Sequence, residues 1–330
     1  MIEIIAEAAQ GFLGDPPAKT LNLAGCAAAA GADAVKFQLV YADELCTPDH
    51  KHFELFRSLE MSDEQWHTLA DVCARHEVGL YLDIFGPASL TLAGDMQIRG
   101  IKLHSTDLLN HELLHLVAES PVQRVLLSTG GTYGSEINEA VAILQDKELV
   151  LIHGFQGYPT QAQDNQTMRI EWLKKHFPDA GIGFADHVAE GLQERFWLSA
   201  LAIGAGANVL EKHITTALVL KEEDYESALS PDDFSIYAEN MRLAAAVRGN
   251  PNTDEDFGMS ESEQHYRHQM KKQVIAVQDI ANDTLLGNEH LGLLRTSSSE
   301  DVIYDLRSVL GKRTKKLIKT GTAIKEGDIA

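Results

Sequence analysis

Ala180-Gly-Ile-Gly-Phe-Ala-Asp-His187 and Asn208-Val-Leu-Glu-Lys-His213 are apolar runs that finish in a histidine with an acid one or two positions before it. Such short β-branched and aromatic spans read as strands, and a strand that ends in His and carboxylate brings polar ligands to a sheet edge. Both side-chain types are competent to ligate a metal. These two strand ends therefore mark the expected functional edge of an α/β enzyme.

The same kind of run recurs on the N-terminal side, at Ile2 to Ala6, Ala34 to Gln38, Gly79 to Phe85, Gly100 to Ser105, Val125 to Thr129 and Leu149 to Gly154. With Gly181 to Asp186 and Asn208 to Ile214 this makes eight strands. Stretches with helical spacing separate them, such as Ala18 to Ala30, Asp63 to His76 and Gly191 to Ile203. Continuous apolar strands alternating with helices predict a parallel sheet buried on both faces, and closing it gives a (β/α)8 TIM barrel over residues 1–248. An open doubly wound sheet is the alternative.

With 330 residues, 44% of them hydrophobic, the chain can bury at least one full core. No apolar stretch is long enough to span a bilayer, and Met1-Ile-Glu-Ile-Ile lacks the basic start of a signal peptide. Cys26, Cys46 and Cys73 show no metal-ligand spacing and leave one unpaired, which suits a reducing cytoplasm. A formal charge of −21 argues against nucleic acid and anionic membrane as partners. A small anionic substrate stays open, because a few buried lysines reverse the potential locally.

After Arg248 the composition changes. Residues 249–272 begin with a polar, acidic, turn-rich stretch and read as an exposed linker, and 273–330 hold short strand-like runs (Val274-Ile-Ala-Val, Leu291 to Leu294, Lys316-Leu-Ile-Lys). So small a module makes only a small core, and it is expected to lean on the barrel or on another subunit.

Taken in order and approximate spacing, Ile4-Ile-Ala-Glu7, Gly31-Ala-Asp-Ala-Val-Lys-Phe-Gln38, Ile101-Lys-Leu-His-Ser105, Leu127-Ser-Thr-Gly130, His153 with Tyr158-Pro-Thr160, Asp186-His187 and Glu211-Lys-His213 resemble the sialic acid (N-acetylneuraminate) synthase family. The segment Ile318-Lys-Thr-Gly-Thr-Ala-Ile-Lys-Glu-Gly-Asp-Ile resembles the antifreeze-like (SAF) domain of that family. The resemblance implies condensation of phosphoenolpyruvate with an N-acylated amino sugar to a nine-carbon 2-keto acid, with a branch serving spore coat polysaccharide.

The residues suit that chemistry. The weakly nucleophilic carbon 3 of phosphoenolpyruvate needs a polarised aldehyde, which a divalent metal supplies. His187 and His213 are the expected ligands, and imidazole with oxygen donors suits manganese. Singly, either could be a core histidine bonded to backbone. By resemblance, Lys36 and Lys102 hold the phosphate or carboxylate with help from Ser105 and Ser128. A lysine inside the apolar run Ala34-Val-Lys-Phe is itself unusual, since burying an unmatched charge is costly.

Glu7, Glu211 and Asp107 are the acids implied for catalysis, and Gln38, Gln156, Tyr158 and Asp224 the sugar contacts. Arg295 falls where relatives place an arginine that reaches the sugar, and a homodimer is expected in which this arginine crosses to the partner's barrel.

The chain also departs from the family pattern. Gly11-Phe-Leu-Gly14, Ala185, Leu82-Asp-Ile-Phe85 and Glu222-Glu-Asp224-Tyr replace segments that handle substrate in relatives, and Asp83 would repel a phosphate unless paired. Two rival readings follow: a metal-dependent aldolase, or a carbohydrate-binding or regulatory paralogue that has lost the reaction.

Overall fold

The computed structural model describes residues 2–249, 257–297 and 301–330. It divides into two compact units, 1–249 and 250–330. The first is a closed parallel barrel of eight strands in sequential order. They are β1 (Glu3–Ala9), β2 (Ala34–Gln38), β3 (Gly79–Asp83), β4 (Gly100–Leu103), β5 (Arg124–Ser128), β6 (Glu148–Gly154), β7 (Gly181–Asp186) and β8 (Val209–His213). β1 pairs with both β2 and β8, so no edge is left open, and the open-sheet alternative is excluded.

Strand side chains alternate between the two faces of the sheet, and the two apolar clusters follow that alternation. Ile4, Val35, Leu80, Ile101, Val125, Leu151, Ile182 and Leu210 point outward and pack under the helices. The neighbours of opposite parity, Ile5, Ala34, Tyr81, Leu126, Val150, Ala185 and Val209, fill the barrel interior. Two residues further along the inward rows come Glu7, Lys36, Asp83, Ser128 and Glu211. A period of two thus carries each strand from apolar core to polar mouth without leaving the interior.

The helices show why they form. In Asp63–Arg75, Ser62 and Gln65 make a reciprocal capping box, and Trp66, Leu69, Ala70 and Cys73 fall on one buried face. The helix expected at Gly191 to Ile203 differs. It is a 3-10 turn over Gln193–Phe196 followed by a helix over Leu198–Ala205, broken at Trp197.

In the second unit, β9 (Gln273–Ala276) and β10 (Leu291–Leu294) pair antiparallel. Val274, Ala276, Ile280, Leu291, Val309, Ile318 and Ile324 form its core. The run at Lys316 contributes one bridge, Ile280 to Ile318. The expected linker needs correction. A helix spans Glu261–Met270, begun by a Ser260–Glu263 capping box, because a serine three residues before a glutamate is itself a helix start. Linker residues 250–256 lie outside the described residues. The three cysteines are free. Among the described residues no helix is long and apolar enough to cross a membrane.

Candidate active site at the barrel mouth

The C-terminal ends of the strands enclose a cavity of about 340 Å³ lined by Glu7, Gln38, Lys36, Asp83, Lys102, His104, Ser105, Ser128, Tyr158, His187, Glu211, His213 and Asp224. Eleven of the fourteen residues singled out in the sequence are among them. A second cavity of about 340 Å³ adjoins it, sharing Gln10, Gln38, His104 and Thr106 and adding Glu44, Phe85 and Asp107.

His187 and His213 stand at the ends of β7 and β8 with ring centroids 5.0 Å apart, and Tyr158 packs edge-on against both. Burial depresses both imidazoles well below their ordinary range, with His213 adding to it at His187 and the Lys36 charge adding to it at His213. The rings are therefore neutral at neutral pH, as metal ligation requires. His187 Nδ1 lies 3.1 Å from the Ala185 carbonyl, which can only accept, so this nitrogen carries the proton and Nε2 keeps its lone pair. Nearby, the buried Glu211 Oε2 accepts no hydrogen bond from the described residues. The two neutral imidazoles suit a divalent ion with open positions for other donors, and among the described residues no group of three or more His, Cys, Asp or Glu side chains is arranged to hold one.

Beneath the histidines lies a buried ion network. Lys36 Nζ is 2.7 Å from Asp83 Oδ2, contacts Glu7 Oε2 and lies 3.9 Å from Glu211 Oε2. Lys102 Nζ is 2.6 Å from Glu211 Oε1. Burial would lower Lys36, but the three carboxylates outweigh it and hold the ammonium charged. Burial likewise pushes Asp83 and Glu211 up, and the lysines, with His104 beside Asp83, bring both below the ordinary carboxylate value. Three carboxylates cannot all ionise against two lysines in so dry a place. Glu7 is the one that yields, raised by burial to about 8.

Other expected residues fare differently. Tyr158 donates to the Asp224 carbonyl at 2.6 Å, and burial pushes the Asp224 carboxyl up. Gln38 accepts from Gln10 at 3.1 Å. Asp107 lines the adjoining cavity, away from the histidine pair. Gln156 lines neither cavity, and its amide lies against His153 at 3.4 Å because Phe155, at φ 61°, turns the loop there. In its own unit Arg295 is exposed, and its Nε donates to the Met270 carbonyl at 2.9 Å.

The acids beside the two histidines also part company. Glu211 shares the inward row of β8 with His213, whereas Asp186 and Lys212 have outward parity and meet under the helices at 3.0 Å. Ser199 donates to Asp186 Oδ2 at 2.9 Å, and Tyr237 donates to Ser199 at 2.8 Å. Sequence reading missed this lock and also missed His104, whose Nε2 is 3.0 Å from Asp83 Oδ2. Its signal was available: His104 is two residues beyond Lys102, on the same inward row.

The model of the NeuB family matches residues 23–253. The chain belongs to that family. Over 343 residues it is 25% identical to the N,N'-diacetyllegionaminic acid synthase of Legionella pneumophila, covering 97% of this chain and 92% of that one. The N-acetylneuraminic acid (sialic acid) synthetase of Leptospira borgpetersenii aligns with a TM-score of 0.74 and 26% identity, over 82% of this chain and 92% of the other. The Bacillus subtilis spore coat polysaccharide biosynthesis protein SpsE aligns at 0.66 and 25%, over 100% and 95%. The expectation of a sialic acid synthase-type enzyme is thus borne out at the level of the family.

Proposed function

We propose that this member of the NeuB family condenses phosphoenolpyruvate with an N-acylated, N-acetylmannosamine-like amino sugar. The product is a sialic-acid-like 2-keto sugar acid for a surface or spore coat polysaccharide. The observation that carries the reading is the convergence at one barrel mouth of a neutral histidine pair with two buried lysines and three acids.

His187 and His213 would hold a divalent metal, best Mn2+, which supplies Lewis-acid polarisation of the sugar aldehyde. Lys36 and Lys102 would share their ammonium hydrogens between their carboxylate partners and the phosphate and carboxylate of phosphoenolpyruvate, aided by Ser105 and Ser128. Glu7, protonated below about pH 8, can give a proton to the oxygen that becomes a hydroxyl. Glu211, held ionised by Lys102, can accept one from the water that attacks carbon 2. Gln38, Tyr158 and Asp224 would orient the sugar. Asp107 would act from the side cavity. Arg295 would come from the partner chain of a homodimer and cap the mouth.

One observation favours a second reading. Asp83 ties up Lys36, which suits a paralogue that binds sugar acids without making them. The deciding experiment supplies phosphoenolpyruvate and Mn2+ with a panel of N-acylated hexosamines, following phosphate release together with 2-keto acid. Both products with one sugar support synthesis. Sugar binding without either product supports the paralogue.

A further inference from the structure

This inference deepens the anionic-substrate reading above and rests on it. Positive charge on the floor of the mouth comes from Lys36 and Lys102, and both are matched: Lys36 by Asp83 and Glu7, Lys102 by Glu211. Two ammonium groups against three carboxylates leave no surplus positive charge, even with one carboxylate protonated. An anion entering this floor must therefore share these two ammonium groups with the carboxylates already beside them. The His187 and His213 rings add no charge of their own, because a metal takes imidazole only in its uncharged form, and any positive charge there would be that of the ion they hold. Among the described residues lining the two cavities, one more side chain can become a cation, and it is His104.

Its placement suits the task. The His104 side chain is 31% exposed and borders both cavities, while Asp83 behind it is fully buried. Asp83 Oδ2 is held on its other side by Lys36 at 2.7 Å, so it cannot swing away, and Phe85 packs on the imidazole with centroids 5.4 Å apart. Because a carboxylate accepts at 3.0 Å, Nε2 carries hydrogen whether the ring is neutral or charged. Protonation therefore adds a new donor at Nδ1, which bonds to none of the described residues. The other charged or titratable groups that line the two cavities are Lys102 on the row of His104, Lys36 behind Asp83, Glu7, Glu211, Asp224, Tyr158, His187 and His213 around the mouth, and Glu44 and Asp107 in the side cavity.

We propose that His104, braced by Asp83, is a further anion-binding cation of this site, beside Lys36 and Lys102, and takes up one proton from solvent when the phosphate or carboxylate of the substrate docks. This chain thereby answers the acid on its third strand with an imidazole just past the end of its fourth. Anion capture is then linked to pH through a residue that need not take part in bond making.

Calorimetric titrations with phosphoenolpyruvate and with inorganic phosphate, between about pH 5.5 and 8.5 and in buffers of different ionisation enthalpy, test the idea. The wild type should take up about one more proton per anion than His104→Gln, a difference from which the ligand's own ionisation cancels. Losing one charge-assisted hydrogen bond should make His104→Gln bind about tenfold more weakly near pH ~6, with the gap closing to within about twofold near pH ~8.5. His104→Lys should bind tightly throughout with no extra proton. Equal proton uptake by wild type and His104→Gln overturns the assignment, and so does failure of the wild type to bind either anion. Anion binding with proton uptake but no 2-keto acid would sink the condensation reading alone. Condensation with equal uptake in the two proteins would sink this one alone.

Discussion

Replacing Lys212 by Met tests whether the buried lock behind the histidine pair holds the mouth in shape. Lys212 is fully buried, with its ammonium 3.0 Å from Asp186 Oδ1 and 3.4 Å from the carbonyls of Asp186 and Val188. Methionine matches the stem in volume but leaves a carboxylate without a counter-charge in a site of 0% exposure. Breaking a buried pair on one side costs about 3–5 kcal/mol. Asp186 keeps hydrogen bonds from Ser199 and from the Val188 amide, which places the expected loss near the lower end, about 3 kcal/mol. At roughly 2–4 °C per kcal/mol for a unit of this size, the barrel's Tm should fall by roughly 6–12 °C.

The companion Lys212→Met/Asp186→Asn should regain much of that loss, because the amide carries no charge to strand yet can still accept from Ser199. Urea unfolding followed by tryptophan fluorescence gives both values. Calorimetry with Mn2+ should show weaker binding in the single variant, since Asp186 directly precedes His187 although Lys212 never touches the mouth. A loss below about 1 kcal/mol for Lys212→Met, the scale of an exposed pair, would refute the reasoning.

His187→Ala and His213→Ala should each abolish stoichiometric Mn2+ binding while the circular dichroism stays unchanged. Because both imidazoles are held well below the usual range, Mn2+ affinity in the wild type should persist as pH falls through ~6.5 and decline only below it. A decline centred near that ordinary value would contradict the burial argument. Ala185→Ser should lower KM for phosphoenolpyruvate by about tenfold, since residue 185 lines the cavity and a hydroxyl adds one bond to a charged group; an unchanged KM would mean the anion lies elsewhere. Mixing inactive His187→Ala and Arg295→Ala chains, with subunit exchange verified, should restore some turnover if the arginine acts across the dimer. A mixture that stays inactive would place Arg295 in its own subunit or outside the site.

Much of this protein was legible along the chain because its two controlling signals are local. Apolar runs of strand length recur between helical spacings, and the eight observed strands fall on the eight runs to within a few residues. The inward parity that brings Glu7, Lys36, Lys102, Glu211 and His213 to one mouth is also local, since each lies two residues beyond an interior position of the same strand. Gln156 shows where that logic ends. It belongs to a loop, where no period governs direction, and the turn at Phe155 carries it away from the cavity.

What only the tertiary structure decided is which charges meet. Asp83 reads in the sequence as an acid that repels phosphate. Strand closure places it against Lys36, forty-seven positions earlier, and His104, twenty-one later. Asp186 reads as a partner of His187, yet the alternation of β7 sends the two to opposite faces, and the acid meets Lys212 beneath the helices. Ion pairing depends on distance through space and on the exclusion of water, and neither is written in the order of residues. The sequence by itself therefore determined the barrel and the row on which each polar group stands, and closure of the sheet determined the partners that set its charge.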